Sequence, residues 1–599
     1  MALSKLPRHR HGQVLAGVVA LLLFFLAGCG GPNPVTVPTP TTPAIQFTVI
    51  DLKLPAEALN AQVIGSVPDD TILHVSVTFK TNQQTLDQLN QKKVQTGQNQ
   101  DLEGLANKLG ITDQQYQQFK SFFGIENATL KLNKLHTNLT VDAKAKTFAR
   151  LFQTHFVIHK LNGRTFFTPA ANAPPKLPKF IADQIVAITG LDNYSVAPQR
   201  ALQVLQHSDS VYMGARKSPA ATCTPPNDVL SVPEIDHLYG YDQFYKAGFH
   251  GEGMTINLIE IDGLATSDLQ TYLRCANYRG RISLVTIRKA PSPGLEATLD
   301  VEMIASAAPS ANMVVYQTDI SQAQTFNDFW TALNDELQQL INDNTKNGGT
   351  GSVVSISLGA PEGALTQDNV TAIDQSLEIL TKGEHMTVFI ASGDCGAFGI
   401  GDLAPNSFGQ LAVSYPSTDP WAVSVGGIEP QPSQNGIVQV AWSNGSNRSK
   451  CDHQWGSGGG LSQVFQIPSW QAGPGVKNKF SNGMRQVPDV AAFAIPIACF
   501  VQSAWGTCLG TSLATPVWAS GMALVNQALI HQTHSFFFGP SLIYGVAQTA
   551  ASNNESPYFE VTRGNNLYYP ATPGWNFATG FGAPNLPVFY NILLAAAKQ

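Results

Sequence analysis

A serine stands at the start of a predicted apolar helix near the C-terminus, in the segment GTSLATP at residues 510–516. A serine in this position has unpaired backbone N–H groups and the positive end of a helix dipole beside it. Both suit the oxyanion that develops when a hydroxyl attacks a carbonyl group. The same Gly-Thr-Ser pattern is also a good helix N-cap. The motif therefore indicates Ser512 as a nucleophile, with a purely structural cap as the alternative.

A serine nucleophile needs a base, and histidine is the usual one. In subtilisins that histidine is followed by Gly-Thr. The histidines after residue 226 all lack this context; they are His237, His250, His385, His453, His531 and His534. His250 comes closest, in FHGEGM, but it lies in a predicted loop. A histidine base is not supported, so the carboxyl groups are the candidates.

Two carboxyl groups share one face of the helix predicted at residues 294–309. Glu296 and Asp300 are four residues apart, hence about 40° apart around the helix axis, whereas Glu302 points elsewhere. Two such groups in contact raise one pKa and can share a proton, so Glu296, oriented by Asp300, could accept the Ser512 proton in acid. The alternative is a pair of carboxylates on a solvated helix face.

A third acid follows another apolar run, in VFIASGDCGAFG at residues 388–399. Asp394 lies between glycines where a predicted strand ends. If it is protonated, it can donate a hydrogen bond to an oxyanion, which a carboxylate cannot. The alternative is that Asp394 only stabilises a glycine-rich turn.

These residues must be positioned by a sheet. Five short, nearly continuous apolar runs occupy residues 254–262, 313–318, 351–359, 386–394 and 422–427. Helical stretches lie between several of them, which is typical of a parallel sheet buried on both faces. Loops at the carboxyl ends of such strands are the expected place for a site. The sequence therefore predicts an α/β fold for residues 226–599.

The upstream residues 45–200 predict a smaller α/β unit. Apolar and polar residues alternate in ILHVSVTF (72–79), which indicates a strand with one buried face. Asn162-Gly163 predicts a hairpin turn. No catalytic constellation is found in this unit. The polar stretch at residues 201–225 predicts an exposed, cleavable connector.

The N-terminal residues 1–29 predict a signal peptide, because basic residues precede an apolar run of fifteen residues (14–28). This run is short for a membrane span and suits a signal sequence. It ends in LAGC, which resembles a bacterial lipobox with Cys29 as the lipidated residue. An ordinary signal peptide with an incidental cysteine is the alternative.

The Pro- and Thr-rich residues 30–44 predict an extended linker. We expect export, as a bacterial cell-surface lipoprotein or an extracellular protein.

Composition limits the partners. The chain has 599 residues, 43% of them hydrophobic, which favours more than one globular core. Charged residues make up only 13%, against a usual value of about 25%, so acidification changes the surface charge little. The net charge of −6 argues against nucleic acid as a partner.

Six cysteines besides Cys29 are compatible with disulfides in an exported chain. Cys499 and Cys508 flank FVQSAWGT and are predicted to form a disulfide across a hairpin. The other four can pair in three ways or stay free; they are Cys223, Cys275, Cys395 and Cys451. None has the CxxC spacing of a zinc–thiolate site.

Three motifs, taken together, resemble the sedolisin family of serine-carboxyl peptidases. They are EATLD at 296–300, ASGDCGA at 391–397 and GTSLATP at 510–516, in this order. The resemblance spans residues 45–595, and the upstream unit is similar to the activation propeptide of the family.

The resemblance implies a subtilisin-like parallel sheet flanked by helices, preceded by a small ferredoxin-like α/β propeptide domain. It also implies roles for the candidate residues. Ser512 would be the nucleophile, Glu296 the general base, Asp300 the orienting acid and Asp394 the acid of the oxyanion hole.

The family also has a calcium site near its C-terminus, built from two aspartates and three carbonyl groups. The matching positions here are Glu560, Val561, Thr572, Gly574 and Asn576. All five offer oxygen atoms, as a hard cation requires, but both aspartates are replaced and the formal ligand charge falls from −2 to −1. The resemblance thus leaves two alternatives, one weakly bound calcium ion and a metal-free loop.

The sequence therefore predicts an acid-acting serine endopeptidase, made as a self-processing zymogen. The alternatives are a tripeptidyl-type exopeptidase and a catalytically silent binding protein on the same fold. The expected partners are protein or peptide substrates and the propeptide as inhibitor. A membrane is expected only through a lipid at Cys29, and we expect a monomer.

Overall fold

The apolar runs after residue 226 form strands of an eight-stranded sheet in the computed structural model of the chain. The strands lie in the order Ile282–Thr286, Asn312–Gln317, Thr255–Glu260, Val353–Ile356, Thr387–Ala391, Ala422–Ser433 and Gly436–Ala441, with Val490–Phe493 also paired to Ala422–Ser433. All neighbours are parallel except the hairpin formed by Ala422–Ser433 and Gly436–Ala441. The predicted parallel sheet is confirmed, and its Val- and Ile-rich central strands are buried because helices cover both faces.

The helices that cover the sheet connect successive strands or follow them. They are Val232–Tyr239, Tyr241–Lys246, Thr266–Cys275, Glu296–Ala307, Phe326–Asn344, Gln367–Glu378, Thr511–Thr533, Ser541–Asn553 and Leu586–Ala597, with a 3₁₀ turn at Glu362–Ala364 and a π turn at Ile379–Gly383.

Short strand pairs fix the loops around the sheet. They are Gly263–Leu264 with Pro293–Gly294, Ala360–Pro361 with Ser414–Tyr415, Gly460–Gln466 with Met484–Val487, Ile497–Val501 with Ala504–Cys508, and Tyr558–Phe559 with Ala583–Pro584.

The structure describes residues 45–90, 94–95, 101–124, 128–194, 212–215, 223–225, 229–321, 323, 325–346, 350–398, 410–433, 436–444, 455–495 and 497–599. The predicted signal peptide (1–29) with Cys29 and the predicted linker (30–44) lie outside these residues. Most of the predicted connector (201–225) lies outside them as well.

The upstream unit has a sheet of four antiparallel strands, in the order Ile185–Thr189, Ile72–Phe79, Asn138–Lys144 and Thr129–Leu132. A three-stranded sheet lies beside it, formed by Gln62–Ser66, Phe156–Leu161 and Arg164–Pro169. The remaining elements are the strands Phe47–Val49, Val94–Gln95 and Lys176–Pro178, the helices Ala56–Leu59, Gln83–Leu89, Ala106–Leu109, Asp113–Phe123, Ala145–Leu151 and Lys179–Ala182, and a 3₁₀ turn at Glu103–Leu105. The predicted hairpin turn is confirmed, with positive φ angles of 50° at Asn162 and 79° at Gly163.

The strand Ile72–Phe79 is buried on both faces, so the prediction of a single buried face was wrong. Ser76 and Thr78, on the polar face, are 0% and 1% exposed. This face is covered because the four-stranded sheet lies against two helices of the α/β fold after residue 226, here called the large domain. These helices are Phe326–Asn344 and Gln367–Glu378. The polar residues were correctly placed on one face, but that face meets another part of the chain instead of water.

Charged side chains join the two parts of the chain at this contact. His74 of the upstream sheet lies between Asp142, 2.6 Å from its Nδ1, and Asp335 of the large domain, 3.0 Å from its Nε2. Burial lowers the pKa of His74, but the two carboxylates outweigh burial and raise that pKa to about 9. His74 is therefore charged at neutral and acid pH, and the ion pair with Asp335 persists on acidification until the carboxylate is protonated.

Apolar contacts extend the same interface. Leu86, Leu89 and Leu102 of the upstream unit belong to a buried cluster with Trp330 and Leu377 of the large domain. The short strand Val94–Gln95 pairs with Ser535–Phe536. Residues 46–599 accordingly form one compact unit.

The predicted disulfide between Cys499 and Cys508 is confirmed, and it joins the two strands of the hairpin at a Cα–Cα distance of 6.0 Å. A second disulfide joins Cys223 of the connector to Cys275, the last residue of the helix Thr266–Cys275.

One helix in the described part of the chain, Thr511–Thr533, is long and apolar enough to cross a membrane by composition alone. Its most apolar window is 89% buried within the protein, which is the environment of a core helix.

Stability of the uncleaved chain should fall as pH rises from 4 to 7.5. Asp192, 6% exposed, lies where the upstream unit meets Asn327 of the large domain. Burial, together with the charges of Asp368 and Asp328, raises the pKa of Asp192 from 3.8 to about 7. A pKa raised by folding contributes stability below the unfolded-state pKa, and this contribution is lost as pH rises through the folded-state value.

Asp192→Asn removes the ionisation and keeps the shape. In the uncleaved Ser512→Ala background, the variant should retain about 2–4 kcal/mol more unfolding free energy than its parent at pH 7.5, relative to pH 4. Thermal and denaturant unfolding at several pH values measure the difference. Asp69→Asn, at an exposed carboxyl group of the same unit, is the control. If the unfolding free energy changes equally with pH in the parent, in Asp192→Asn and in Asp69→Asn, Asp192 is not the group responsible.

Candidate active site

Ser512 is the second residue of the helix Thr511–Thr533, here called the Ser512 helix, and it is 7% exposed. The helix begins directly after Gly510, whose φ of 131° is unfavourable for residues with a side chain. A Cβ at this position would also lie 2.9 Å from Oδ2 of Asp394. Glycine at 510 therefore allows the chain to turn into the helix while Asp394 stays beside it.

Glu296 is the first residue of the helix Glu296–Ala307, here called the Glu296 helix. Asp262 lies two residues beyond the strand Thr255–Glu260 and accepts hydrogen bonds from the backbone N–H groups of Glu296, at 3.1 Å, and Ala297, at 2.9 Å. A Cβ on Gly294 would lie 1.9 Å from the Asp262 carboxylate, so only glycine fits there. Asp262 thus satisfies the N-terminus of the helix and fixes the position of Glu296.

The Ser512 helix and the Glu296 helix pack against each other, which brings Ser512 to Glu296. The Ser512 hydroxyl lies close enough to the Glu296 carboxyl group to lower the pKa of that group. Glu296 is 6% exposed and Asp300 is 0% exposed, so the alternative of a solvated acidic face was wrong. Glu302 points elsewhere, as predicted, and accepts a hydrogen bond from the backbone N–H of Phe500 at 3.0 Å.

The carboxyl groups of Glu296 and Asp300 both have raised pKa values. Burial, followed by the charge of Asp300, raises the pKa of Glu296 well above its ordinary value, whereas the hydrogen bond from Ser512 lowers it. Burial raises the pKa of Asp300 to about 8, against the hydrogen bond from Ser357, which lowers it. At acid pH this pair therefore holds at least one proton.

A further carboxyl group and a hydroxyl group extend this pair. Glu260 is 0% exposed at the end of its strand, and burial, followed by the charge of Asp300, raises its pKa well above the ordinary value, which favours a proton on one of the two groups. Ser357 Oγ lies 2.6 Å from Asp300 Oδ2 and 3.2 Å from the Ser512 carbonyl oxygen. A hydroxyl has a single hydrogen. Both Ser357 contacts are hydrogen bonds at once only if Asp300 is protonated and donates to Ser357.

Asp394 lies beside the start of the Ser512 helix, three residues beyond the strand Thr387–Ala391. Its Oδ1 accepts hydrogen bonds from the backbone N–H of Thr511, at 2.7 Å, and from the Thr511 hydroxyl, at 2.8 Å. This leaves Oδ2 as the oxygen that can carry a proton. Burial raises the pKa of Asp394 and outweighs the two hydrogen bonds from Thr511, which lower it.

The structure thus brings together the four residues predicted to do chemistry, and it adds four that the sequence reasoning missed: Glu260, Asp262, Ser357 and Thr511. The missed residues, except Thr511, lie at the carboxyl ends of neighbouring parallel strands. These three residues lie inside the apolar runs 254–262 and 351–359, and a polar residue close to the end of such a run was the signal that could have found them.

The five predicted metal ligands lie in two loops near the C-terminus. Asn576 lies beside the carbonyl groups of Val561 and Thr572, and the backbone N–H of Gly574 donates to Glu560 at 3.3 Å. This cluster is separate in sequence and in its contacts from the carboxyl groups around Ser512.

Comparison with known proteins gives the upstream unit a family. Residues 60–194 match the family model "Pro-kumamolisin, activation domain". Kumamolisin from Bacillus sp. (strain MN-32) is 26% identical over 448 residues, which cover 71% of this chain and 73% of kumamolisin. Human tripeptidyl-peptidase 1 is 26% identical over 358 residues, which cover 55% of this chain and 58% of the human protein.

The fold is found in a solved structure. Pseudomonas sedolisin, a serine-carboxyl proteinase complexed with two molecules of pseudo-iodotyrostatin, superposes with a TM-score of 0.50 at 23% identity, over 60% of this chain and 98% of the sedolisin chain. A subtilisin-like α/β peptidase fold behind an activation domain defines the class, a peptidase made as a precursor. Within that class residues 60–194 belong to the pro-kumamolisin activation domain family, and the chain as a whole is similar to kumamolisin and to sedolisin.

Asp262→Ala should reduce both stability and hydrolysis, because it removes the acceptors that hold the start of the Glu296 helix. We expect a loss of about 1–2 kcal/mol in unfolding free energy, as for other helix caps, and a larger proportional loss of kcat/KM. Asp262→Asn keeps one acceptor oxygen and should lose less of both. Unfolding midpoints and peptide hydrolysis at acid pH measure the two effects.

Thr366→Ala is the matched control, because Thr366 caps the helix Gln367–Glu378 through the Asn369 N–H at 3.4 Å. It should cost similar stability and leave hydrolysis nearly unchanged. If Asp262→Ala impairs hydrolysis no more than Thr366→Ala does, Asp262 has no positioning role.

Proposed function

We propose that this chain is an exported, acid-acting serine endopeptidase that is synthesised as a self-processing zymogen. One observation carries the proposal: the hydroxyl of Ser512, at the start of a buried helix, interacts with the carboxyl group of Glu296 and lowers its pKa. In this arrangement a carboxylate takes the place that histidine has in other serine peptidases.

In the proposed reaction, Ser512 Oγ attacks the carbonyl carbon of the peptide bond and its proton passes to Glu296. The new C–O bond forms as the carbonyl becomes an oxyanion. The oxyanion accepts a hydrogen bond from protonated Oδ2 of Asp394 beside the N-terminus of the Ser512 helix. Glu296 then gives the proton to the leaving amine, and the C–N bond breaks. Water hydrolyses the acyl-enzyme by the same steps in reverse.

Glu296 accepts the proton only if it is ionised while its acidic neighbours are neutral. The hydrogen bonds favour this distribution. Burial and the charge of Asp300 keep a proton on Glu260, a proton on Asp300 is donated to Ser357, and Ser357 donates to the Ser512 carbonyl. The single negative charge of the cluster then lies on Glu296, the carboxyl group that receives the Ser512 hydrogen bond. Asp300 acts as the orienting acid, because its neutral form donates the first hydrogen bond of the series that runs through Ser357 to the Ser512 carbonyl.

The contacts of the connector support self-processing. The connector strand Tyr212–Ala215 pairs with Ala504–Cys508, and the chain runs from that strand into Ser512 within four residues. The connector therefore follows the strand that leads to the nucleophile. An upstream domain that stays docked on helices of the large domain is consistent with inhibition by the propeptide before cleavage.

Export follows from the N-terminal sequence, with lipidation at Cys29 as the proposed anchor. An exopeptidase is the second candidate, because human tripeptidyl-peptidase 1 is among the relatives. The two activities are separated by a peptide with a blocked N-terminus, which an endopeptidase cleaves and a tripeptidyl-peptidase does not.

Ser512→Ala should abolish hydrolysis of the blocked peptide and self-processing of the precursor. Glu296→Gln keeps the shape of the side chain and removes the base, so it should lower kcat by at least about 10³-fold without unfolding the protein. Electrophoresis of the precursor after acidification and single-peptide kinetics measure both effects. Glu302→Gln, on the same helix but away from Ser512, is the control. Wild-type rates for Glu296→Gln would exclude Glu296 as the base.

The pH profile of kcat/KM should be bell-shaped and centred in acid. Loss of the Asp394 proton should set the alkaline limb, because ionised Asp394 cannot donate to the oxyanion. Burial raises the pKa of Asp394, so the proton is retained over the acid range. Asp394→Asn supplies a permanent donor, so this variant should retain part of the activity and lose less of it towards neutral pH. An unchanged alkaline limb in Asp394→Asn would assign that limb to another group, and a wild-type optimum at pH 8 would exclude the mechanism.

A further inference from the structure

The loops that correspond to the calcium site of the family are held together by a side-chain amide. Asn576 is 2% exposed and lies four residues after Thr572 and fifteen after Val561. Its Nδ2 donates a hydrogen bond to the Thr572 carbonyl oxygen at 3.0 Å and another to the Val561 carbonyl oxygen at 3.2 Å. These are two of the carbonyl groups that the resemblance assigns to the cation.

The orientation of this amide is fixed by its other end. The Asn576 Oδ1 accepts hydrogen bonds from the backbone N–H groups of Ala578 and Thr579, each at 3.0 Å, and from the Thr579 hydroxyl at 3.2 Å. Rotating the amide by 180° would turn the NH₂ group towards two N–H donors and the oxygen towards two carbonyl oxygens. All four backbone contacts would then be repulsive, so the network favours a single orientation.

The remaining donors bring little negative charge to this place. Glu560, the carboxylate of the set, is solvent-exposed and accepts a hydrogen bond from the Gly574 N–H at 3.3 Å. In the described part of the chain, no group of three or more His, Cys, Asp or Glu side chains is arranged to hold a metal ion. Calcium needs six to eight oxygen ligands with enough negative charge among them, and here an NH₂ group points into the place of the ion.

We propose that the Asn576 amide replaces calcium in this chain. It joins the segment at Val561 to the loop at Thr572, so the fold needs no calcium at this position. A cation would place a full positive charge next to the two carbonyl oxygens. The NH₂ group places the partial positive charge of its hydrogens there, with Nδ2 within 3.2 Å of both oxygens. The amide carries its donor covalently, so neither chelators nor acid can remove it.

Acid gives this replacement a physical advantage. A site made of carboxylates loses calcium as those groups are protonated, because protons compete with the metal. An amide does not titrate in this range. The loop around Asn576 therefore keeps its cross-link at the pH at which the proposed peptidase acts.

The uncleaved Ser512→Ala chain should melt at the same temperature, within about 1 °C, in 5 mM calcium chloride and in 5 mM EDTA. Isothermal titration with calcium chloride should show no binding at this site. A rise of several degrees in calcium, reversed by EDTA, would overturn the proposal without use of any loop variant. This outcome would leave the roles of Ser512 and Glu296 untouched, since no hydrogen bond in the described part of the chain joins either residue to this loop.

Asn576→Asp tests whether the amide itself replaces the ion. It puts a carboxylate oxygen against two carbonyl oxygens, so in EDTA the variant should melt more than about 4 °C below its parent. Calcium should restore most of this loss, because the charge of a family aspartate has been returned. Production in calcium keeps the variant folded for the comparison.

Asn585→Asp is the matched control, because Asn585 also donates its amide to one backbone carbonyl, that of Ser556 at 2.8 Å, and it precedes the helix Leu586–Ala597. It should gain no response to calcium. If Asn576→Asp is as indifferent to calcium as Asn585→Asp, or folds in neither condition, the amide does not stand in for a cation and the proposal fails.

Discussion

The carboxyl groups around Ser512 are held away from water, and the arrangement of the site depends on the protons that this burial requires. Glu260, Glu296 and Asp300 are all at most 6% exposed, and burial is the largest cause of the raised pKa of each. Fully ionised, the three groups would repel one another in a poorly screened environment. With protons on two of them, this repulsion disappears and Asp300 can donate a hydrogen bond to Ser357.

The same constraint extends through the rest of the fold. Burial raises the pKa of Asp192, at the contact between the two parts of the chain, and of Asp262, which fixes the Glu296 helix, to about 7 and about 6. Groups of this kind make the folded chain more compatible with acid than with alkaline solution. The charged pair of His74 and Asp335 stays intact over much of that range, so docking of the upstream sheet and order in the active site are favoured by the same conditions.

Local sequence patterns predicted the positions of the candidate residues better than their surroundings. The four-residue spacing of Glu296 and Asp300 specified a shared helix face, and Gly510-Thr511-Ser512 specified a helix start. Glu260, Asp262 and Ser357 were missed because their proximity comes from the register of parallel strands, in which Leu258 pairs with Ser355 and Ile259 with Ile356. The burial of Ser76 and Thr78 was missed for a similar reason, since an alternating pattern does not reveal whether water or a second domain covers the polar face.

The disulfide between Cys223 and Cys275 divides the connector into two chemically different parts. Cys223 is joined to the helix Thr266–Cys275 of the large domain. A peptide bond cut before residue 223 leaves no covalent link between the two parts of the chain. A cut between residues 224 and 229 leaves them joined through the two sulfur atoms, so the upstream unit would remain at high local concentration beside the surface it covers. The position of the cut relative to one cysteine thus decides whether cleavage yields a free enzyme or a two-chain protein.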